Sequence, residues 1–480
     1  MKKINRPLWI LIVFFSLTYA FWSVNKHNRF QTDAVDLAIF DQPLWHYSRF
    51  ESPRSTVKYN QFPGEHILGD HFHPTLALLS PLYWIWNDVR ILLIAQAMIA
   101  VLSVWPIYQI AKMKIGSQFF SLALSFSYLT FIGLQTAIDY DFHETTLSIL
   151  PFSLAVYFLL KNNYKLYFLS LLLAIFTKED MPLFAAMLGL LAVLKLRKVR
   201  IGALTVFLGI TSYFVVTQFV IPYFKKDRFA YEELDPRLGK TTLDLIRSAV
   251  TNPLLVLNVL FLPLLKTKTM LNLLASFAFL PLLSPTTLLL TLPNLASRFL
   301  TGLSQRWLLR FQYNVVLTPM LALGVIFGLE NLRRVNFFNR NFGRLLIVLS
   351  FLLIISPVVQ TYRTNGPLLR ILSPDSYRWE PRFKINYDLI SRIPQDPNVS
   401  VMAQSSFVPH LSHRYKIFRF EDNLIDKSKP EYVLMSADEA TDPAYVRRDL
   451  EGKIESLRKN PLYDILYWDG VRLLMRVKKV

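Results

Sequence analysis

Cysteine is missing from this 480-residue sequence, and charged residues make up only 18% of it. The absence of cysteine excludes disulfides, thiolate metal sites and cysteine nucleophiles. Soluble domains carry about 25% charged residues, whereas this chain is poor in charge and 52% hydrophobic. This composition argues against a disordered or purely soluble protein and indicates a membrane protein.

Motifs that bind nucleotides or catalytic zinc are also missing. The sequence has no GxxxxGK[ST], GxGxxG or HExxH pattern, so a nucleotide-driven pump or a zinc protease is unsupported. The net charge is +19, from 53 Lys and Arg against 34 Asp and Glu. Because the basic residues are dispersed through loops between apolar runs, and are not clustered in one soluble domain, we expect no nucleic-acid partner.

Apolar runs recur along the first 360 residues, which we take as the membrane domain. A spanning helix needs about 20 mainly apolar residues, because lipid cannot satisfy an open backbone. We predict a mainly α-helical, polytopic transmembrane bundle with about eleven spans, in contact with the lipid bilayer. The runs are 7–24, 89–110, 116–138, 145–160, 164–177, 181–195, 201–222, 251–265, 269–283, 313–332 and 343–360.

The charge pattern predicts the orientation of these spans. Every short loop on one side of the predicted membrane is basic, which is typical of cytoplasmic loops. With the N-terminus inside, all eight histidines lie outside, as do seventeen of the eighteen acidic residues up to residue 360; Glu330 is the exception. We therefore predict a multi-pass plasma (inner) membrane protein with two long outer loops, 25–88 (the first long loop) and 223–250.

The composition changes after residue 360, and residues 361–480 (the C-terminal segment) carry 20 Lys and Arg against 16 Asp and Glu. This pattern predicts a small soluble α/β domain, which the odd number of spans would locate outside the cytoplasm. A hairpin is predicted around Asp469-Gly470, since that dipeptide favours a tight turn. The predicted strands are Val399–Ala403, Tyr415–Phe420, Glu431–Ser436, Tyr463–Trp468 and Val471–Val477, and the predicted helix is Ala444–Lys459.

Three carboxylates of the first long loop, Asp33, Asp36 and Asp41, are candidate catalytic residues. They alternate with apolar and aromatic side chains at the expected membrane surface. Such a setting raises the pKa of a carboxylate toward that of a useful general base. The competing interpretation is that they are solvated residues that cap a short helix.

Two short runs mix carboxylates with histidine, the four residues from Asp70 to His73 and the six from Asp139 to Glu144. Oxygen and imidazole ligands suit magnesium, manganese or zinc, so a divalent metal is one hypothesis, although neither run has a recognised zinc spacing. Substrate contact and ordinary hydrogen bonding at helix ends are the alternatives. The candidate substrate-binding residues here are Asp70, His71, His73, Asp141 and His143.

The run Thr177-Lys178-Glu179-Asp180 lies between two apolar runs at the predicted outer boundary. Glu179 and Asp180 are candidate substrate-binding residues. The competing interpretation is that they favour the start of the next helix, because its dipole attracts acids. The topology does not explain Lys178, and a cation at headgroup depth suits a phosphate. Arg298 and Arg306 are candidates for the same role, with snorkelling anchors as the alternative.

Six motifs occur in an order that resembles a known family, the uncharacterised prokaryotic "predicted membrane protein" family of unknown function, over roughly residues 30 to 475. They are Val35-Asp36-Leu37-Ala38-Ile39-Phe40-Asp41-Gln42-Pro43-Leu44-Trp45, Asp70-His71-Phe72-His73-Pro74, Asp141-Phe142-His143, Thr177-Lys178-Glu179-Asp180, Leu280-Pro281-Leu282-Leu283-Ser284-Pro285 and Pro409-His410-Leu411. The layout is similar to that of C-fold (GT-C type) glycosyltransferases. These enzymes also have a long acidic first outer loop, many spans and an outer C-terminal domain.

That resemblance implies a glycosyltransferase that takes a sugar from a polyprenyl-phosphate donor and transfers it to an acceptor on the outer face of the membrane. It implies that Asp36 is the general base, with Asp33 or Asp41 as alternatives, and that Lys178 faces the lipid phosphate. Two rival hypotheses are a non-enzymatic lipid or solute transporter and an envelope assembly protein. Transporters place charged sites near the bilayer midplane, where this sequence has few ionisable residues.

Overall fold

Six long apolar helices dominate the first part of the computed structural model, which describes residues 5–58, 66–226, 234–239, 241–336, 340–421, 424–439 and 449–478. Each has 22 to 27 residues, and at 1.5 Å per residue each is long enough to cross a hydrocarbon core of about 30 Å. The helices are Arg6–Asn28, Arg90–Ile115, Gln118–Asp139, Val199–Lys225, Gln312–Arg333 and Phe342–Arg363.

Eleven spans are not confirmed, because several apolar runs form helices shorter than a span. The runs predicted as spans four to six are the helices Glu144–Leu160, Tyr164–Ile175 and Met181–Leu194, with 17, 12 and 14 residues. Hydropathy alone reports the apolar character of a run but does not fix the length of its helix. Among the described residues, the structure therefore supports six candidate spans.

The region 242–299 departs most from the predicted spans. The helix Thr242–Thr251 is followed by Pro253–Phe261, and the two are bent by 110°; counting them as one span raises the number of candidates to seven. The predicted span 269–283 ends early, because the helix Leu264–Ala275 gives way to a 3-10 turn. Pro253 explains the first break, since proline cannot continue a helix, whereas at the second break Ala278 and Phe279 have positive φ values that a right-handed helix does not allow. Short helices follow at Pro285–Leu288, Leu292–Phe299 and Ser304–Trp307.

Some loop contacts agree with the predicted grouping of the loops. Among loops predicted to be cytoplasmic, Lys114 Nζ is 3.3 Å from Glu330 Oε1 and Lys195 donates a hydrogen bond to Asn331. The first long loop meets the residues near Asp141, which lies after the third long helix. Lys266 departs from the prediction, because it lies in a loop predicted to be cytoplasmic and yet donates to the carbonyl oxygens of Phe299 and Thr301, which are predicted on the other side. Which end of the helices faces the cytoplasm stays a prediction.

Glycine allows two helices to pack closely in this bundle. A Cβ atom added at Gly189 of Met181–Leu194 would lie 2.7 Å from the carbonyl oxygen of Gly202, and one added at Gly202 would lie 2.6 Å from that of Gly189. Gly202 belongs to the helix Val199–Val215. Small residues at such contacts let helix backbones approach each other without relying on a hydrophobic driving force.

A five-stranded mixed sheet lies in the described C-terminal segment and confirms the strand predictions. Its strands lie in the order β2-β1-β3-β5-β4. Strand β1 pairs in parallel with β2 and with β3, and β5 pairs antiparallel with β3 and with β4. The predicted hairpin joins β4 and β5, with Gly470 at a φ of 92° that favours glycine. The strands are β1 Val401–Ala403, β2 Ile417–Arg419, β3 Tyr432–Ser436, β4 Tyr463–Trp468 and β5 Arg472–Val477.

Two helices pack near this sheet, Pro381–Ser391 before it and Leu450–Arg458 between β3 and β4. The second confirms part of the predicted helix Ala444–Lys459, whose residues 444–448 lie outside the described residues. The sheet contacts the first long loop directly, since Thr56 Oγ1 donates to the Ile417 carbonyl oxygen at 2.7 Å. The first long loop therefore lies between the long helices and the sheet.

Candidate functional site

A polar cavity of about 370 Å³ lies where the first long loop, the ends of the membrane helices and the C-terminal sheet meet. Of the sequence-predicted site residues, it brings together Asp36, Asp70, His71, His143, Lys178 and Arg306. We name it the Asp36 cavity. Its remaining lining residues are Val35, Ile39, Phe40, Lys58, Glu144, Gln312, Tyr313 and Arg419.

Asp36 lies on a single wide helical turn, Ala34–Ala38, which leads into the helix Ile39–Ser48. The turn begins where the Asp33 carboxylate accepts a hydrogen bond from the Val35 N–H at 3.1 Å. Asp36 Oδ1 lies 3.3 Å from His143 Nε2, and the Asp36 side chain is 18% exposed. Burial lowers the pKa of His143 to about 4, so the imidazole beside Asp36 is neutral at neutral pH.

Lys178 forms a buried ion pair with Glu144. Their Nζ and Oε1 atoms lie 2.6 Å apart, and both side chains are less than 10% exposed. Lys178 occupies the turn between the helices Tyr164–Ile175 and Met181–Leu194, whereas Glu144 opens the helix Glu144–Leu160. The pair therefore joins two loops at the same end of the bundle and brings a cation to the cavity wall.

A second polar pair connects the first long loop to this turn. His71 Nδ1 lies 2.9 Å from Glu179 Oε1, and Glu179 Oε2 accepts the Phe72 N–H at 3.2 Å. Burial acts to lower the pKa of His71. The charge and hydrogen bond of Glu179, together with the charge of Asp70, outweigh burial and raise the pKa of His71 above its ordinary value. Glu179 therefore anchors the loop and does not line the cavity itself.

Asp70 lines the cavity next to a cation that the sequence did not single out. Lys58 Nζ lies 3.1 Å from Asp70 Oδ2. Burial acts to raise the pKa of Asp70, but the positive charges around it, chiefly that of Lys58, lower this pKa below its ordinary range. Asp70 is therefore ionised at neutral pH.

Two other predicted site residues, His73 and Asp180, do not line the cavity. His73 is buried, whereas Asp180 is half-buried with an inaccessible Oδ1 atom. The His73 ring packs against Phe40 with 5.6 Å between ring centroids, and burial lowers its pKa to about 4. Asp180 precedes the first turn of Met181–Leu194, and burial raises its pKa to about 6. Both side chains lie near the charged side chains of Glu144 and Glu179.

The candidate arginines have different surroundings. Arg306 lines the Asp36 cavity. Arg298 does not, and it is 3% exposed. Its guanidinium donates to the Arg306 carbonyl oxygen at 2.6 Å and to the side chains of Asn294 and Asn314 at 2.8 and 2.9 Å. Arg298 therefore holds the segment that carries Arg306.

Asp41 is one of the two alternative bases, and it is fully buried outside the cavity lining. It accepts hydrogen bonds from the hydroxyls of Tyr83 and Ser412, and its Oδ2 lies 3.2 Å from His413 Nε2. Asp41 therefore joins the first long loop to the C-terminal segment.

Asp33 and Asp141 also lie outside the cavity lining and next to each other. The Asp33 N–H donates to Asp141 Oδ2 at 2.8 Å, and Asp33 Oδ1 accepts the Ser405 hydroxyl at 2.8 Å. Lys26 Nζ lies 3.6 Å from Asp141 Oδ1, but burial raises the pKa of Asp141 to about 6. These contacts join the turn that carries Asp36 to the loop of Asp141 and to Ser405 of the C-terminal segment.

Sequence reasoning missed Lys58 and Arg419, two of the cations that line the cavity. Arg419 ends strand β2, is 3% exposed and forms an ion pair with Glu421. A cation between Phe418 and Phe420, in a predicted strand, was the available signal for Arg419. Lys58 had no such signal, because it lies in a polar part of the loop.

The wall thus combines four cations, Lys58, Lys178, Arg306 and Arg419, with three carboxylates. Basic side chains that converge in this way suit a phosphate group, and a carboxylate opposite them suits proton transfer. Within the described ranges, no group of three or more His, Asp or Glu side chains is arranged to hold a metal ion.

Comparison with known proteins places the chain in a family without identifying an activity. No curated protein matches the sequence. The model of one family, described as "Predicted membrane protein (DUF2079)", matches residues 26–471. That range contains every residue that lines the Asp36 cavity. The chain therefore belongs to the DUF2079 family of predicted membrane proteins.

Proposed function

We propose that this protein is a membrane glycosyltransferase that moves a sugar from a polyprenyl-phosphate donor to an acceptor at the outer face of the plasma membrane. The observation that carries the proposal is the Asp36 cavity, where Asp36 and four cations line one pocket near the ends of membrane helices. The resemblance of the sequence layout to that of C-fold glycosyltransferases favours it.

The donor phosphate would bind the basic part of the wall. Lys178 is paired with Glu144, which holds its ammonium group in a fixed position. Arg306 and Arg419 add planar guanidinium groups, which match phosphate oxygens well. Preorganised cations stabilise a leaving phosphate because they need no reorganisation as its charge develops.

An apolar groove supports a lipid-linked donor. It has a volume of about 290 Å³ and is lined by Leu317 and Leu321, among other apolar side chains. Tyr313 lines the Asp36 cavity, and Leu317 follows it by four residues, about one helical turn. A lipid with its phosphate in the cavity has a place for its hydrocarbon chain in this groove.

The proposed reaction is a displacement at the anomeric carbon. The acceptor hydroxyl oxygen forms the new bond to that carbon, and the bond from the carbon to the phosphate oxygen breaks. Polyprenyl phosphate leaves with the bonding electrons, and the hydroxyl proton goes to Asp36. Of the three candidate carboxylates of the first long loop, only Asp36 lines the cavity, so the proposal assigns it the role of base.

The test is sugar release from a labelled donor. The full chain, reconstituted in phosphatidylcholine vesicles, would be mixed with polyprenyl phosphates that carry radiolabelled hexoses, and the label leaving the lipid would be measured. We expect Asp36→Asn to lower this rate by about 10²–10⁴-fold, the usual contribution of a general base. Glu51→Gln is the matched comparison, because it removes a carboxylate of the first long loop that neither lines the cavity nor holds the turn that carries Asp36.

The rival hypotheses predict other results. A lipid transporter would move the labelled lipid across the bilayer without releasing its sugar, and Asp36→Asn would leave release unchanged. An assembly protein would do neither. Turnover by Asp36→Asn at the wild-type rate, in a protein that unfolds at the wild-type temperature, would refute Asp36 as the base.

A further inference from the structure

A second cavity, of about 470 Å³, lies on the same junction between the first long loop and the C-terminal segment. It shares no lining residue with the Asp36 cavity. The helix Ile39–Ser48 contributes Phe40 to the Asp36 cavity and Trp45 to this one. We name it the Arg414 cavity, after the most buried cation that lines it.

Arg414 is 5% exposed, so its guanidinium charge is largely removed from water. Nη1 donates long hydrogen bonds to the carbonyl oxygens of Asp396 and Val399, at 3.3 and 3.5 Å. Nε has no hydrogen-bond partner in the described parts of the chain. There, too, no carboxylate forms an ion pair with Arg414. The charges of Asp396 and Glu431 act on the guanidinium only from beyond ion-pair distance, and a buried charge is costly unless it is paired directly.

The other arginines of the cavity already have carboxylate partners. Arg90 forms a two-pronged contact with Asp88, with Nε–Oδ1 and Nη2–Oδ2 distances of 2.7 and 2.5 Å. Arg49 Nε lies 3.4 Å from Glu51 Oε1. An anion that enters the cavity would therefore be attracted chiefly to Arg414.

His410 supplies a second polar group without a partner. Its Nε2 is buried and has no hydrogen bond to any described residue. The ring is held in place by stacking on His27, with 4.0 Å between centroids, and by contact with Phe30 at 4.3 Å. Burial lowers the pKa of His410 well below its ordinary value, so the ring is neutral and carries one N–H, which serves as a donor to the cavity in the tautomer with the proton on Nε2.

We propose that the Arg414 cavity binds a phosphate-bearing ligand, with Arg414 and His410 as donors to the phosphate oxygens. A guanidinium group matches phosphate geometry. The volume far exceeds that of a single ion, since one water occupies about 30 Å³, and lies in the range of small-molecule sites. The non-phosphate part of the ligand contacts Trp45 and Tyr387, which line the same cavity.

The site does not depend on the glycosyltransferase proposal. The phosphate comes either from a soluble molecule or from a lipid headgroup, because the cavity also reaches His27 at the end of the first long helix.

The test is a titration of the full chain in phosphatidylcholine nanodiscs with inorganic phosphate at constant ionic strength, followed by calorimetry. We expect two binding components in the wild type, one from each cavity. Arg414→Gln should weaken one component about ten- to one-hundred-fold, because a charged hydrogen-bond donor is lost. His410→Phe should weaken the same component while it keeps the ring contacts. Lys178→Gln should weaken only the other component, which separates this proposal from the proposed function.

Arg392→Gln is the matched control. Arg392 comes directly after Ile390 and Ser391, which line the cavity, but Arg392 is paired with Asp388 and does not line the cavity itself. It should leave both components unchanged. In nanodiscs with added phosphatidylglycerol, loss of the Arg414-dependent component identifies the headgroup as the ligand, and its persistence identifies a soluble phosphate. Wild-type binding by a folded Arg414→Gln variant would overturn the proposal. If that variant does not fold, wild-type binding by His410→Phe would do so.

Discussion

Replacing Lys178 with methionine removes the cation of the buried Lys178–Glu144 pair and keeps a side chain of similar length. At the 2.6 Å separation, the attraction between two unit charges is about 6 kcal/mol for an effective dielectric constant of about 20. Removing one partner of a buried pair typically costs about 3–5 kcal/mol, because the other charge stays buried and unpaired. We expect the lower end of this range, since His71 also acts on Glu144.

A double-mutant cycle measures this coupling. The free energy of unfolding would be determined for the wild type, Lys178→Met, Glu144→Gln and the double variant, in mixed micelles of mild and denaturing detergent. The double variant has no buried charge left at this position, so it should recover at least about 1 kcal/mol relative to the sum of the single losses. Strict additivity would refute the ion pair as a source of stability.

Two further predictions concern other contacts. The pKa of His71 is raised in the folded protein. The stability from its contact with Glu179 should therefore be complete below the ordinary histidine pKa of about 6.5 and lost as the pH rises through the raised value. Glu179→Gln should flatten this part of a curve of unfolding free energy against pH, and an unchanged curve would contradict the prediction. Gly189→Val should cost about 1–3 kcal/mol in the same unfolding assay, because its side chain would meet the backbone of Gly202. Gly343→Ala is the control and should be nearly neutral, as its added Cβ has open space.

The grouping of the candidate site was largely predictable from the sequence. Charge bias located Asp36, Asp70 and His143 in loops on one side of the membrane, and four loops on that side do meet around the Asp36 cavity. The hairpin at Asp469-Gly470 was equally accessible, because its turn chemistry is local.

Other features depend on contacts between distant parts of the chain. Asp33, Asp36 and Asp41 look alike in sequence, yet only Asp36 lines the cavity. The difference arises because Ser405 and Ser412, more than 370 residues away, donate to the other two carboxylates. Eleven spans are not confirmed for a related reason, since an apolar composition is shared by long helices and by short ones packed against protein.

The position of Arg419 in the sequence determines when the Asp36 cavity can form during synthesis. Lys178 and Glu144 leave the ribosome early, but the wall that Arg419 completes is encoded more than 100 residues after Arg306. The cavity cannot be closed until most of the C-terminal segment has been made and has packed against the first long loop. A nascent chain that has already made its long helices therefore holds the other three cations in an incomplete arrangement until Arg419 has been made.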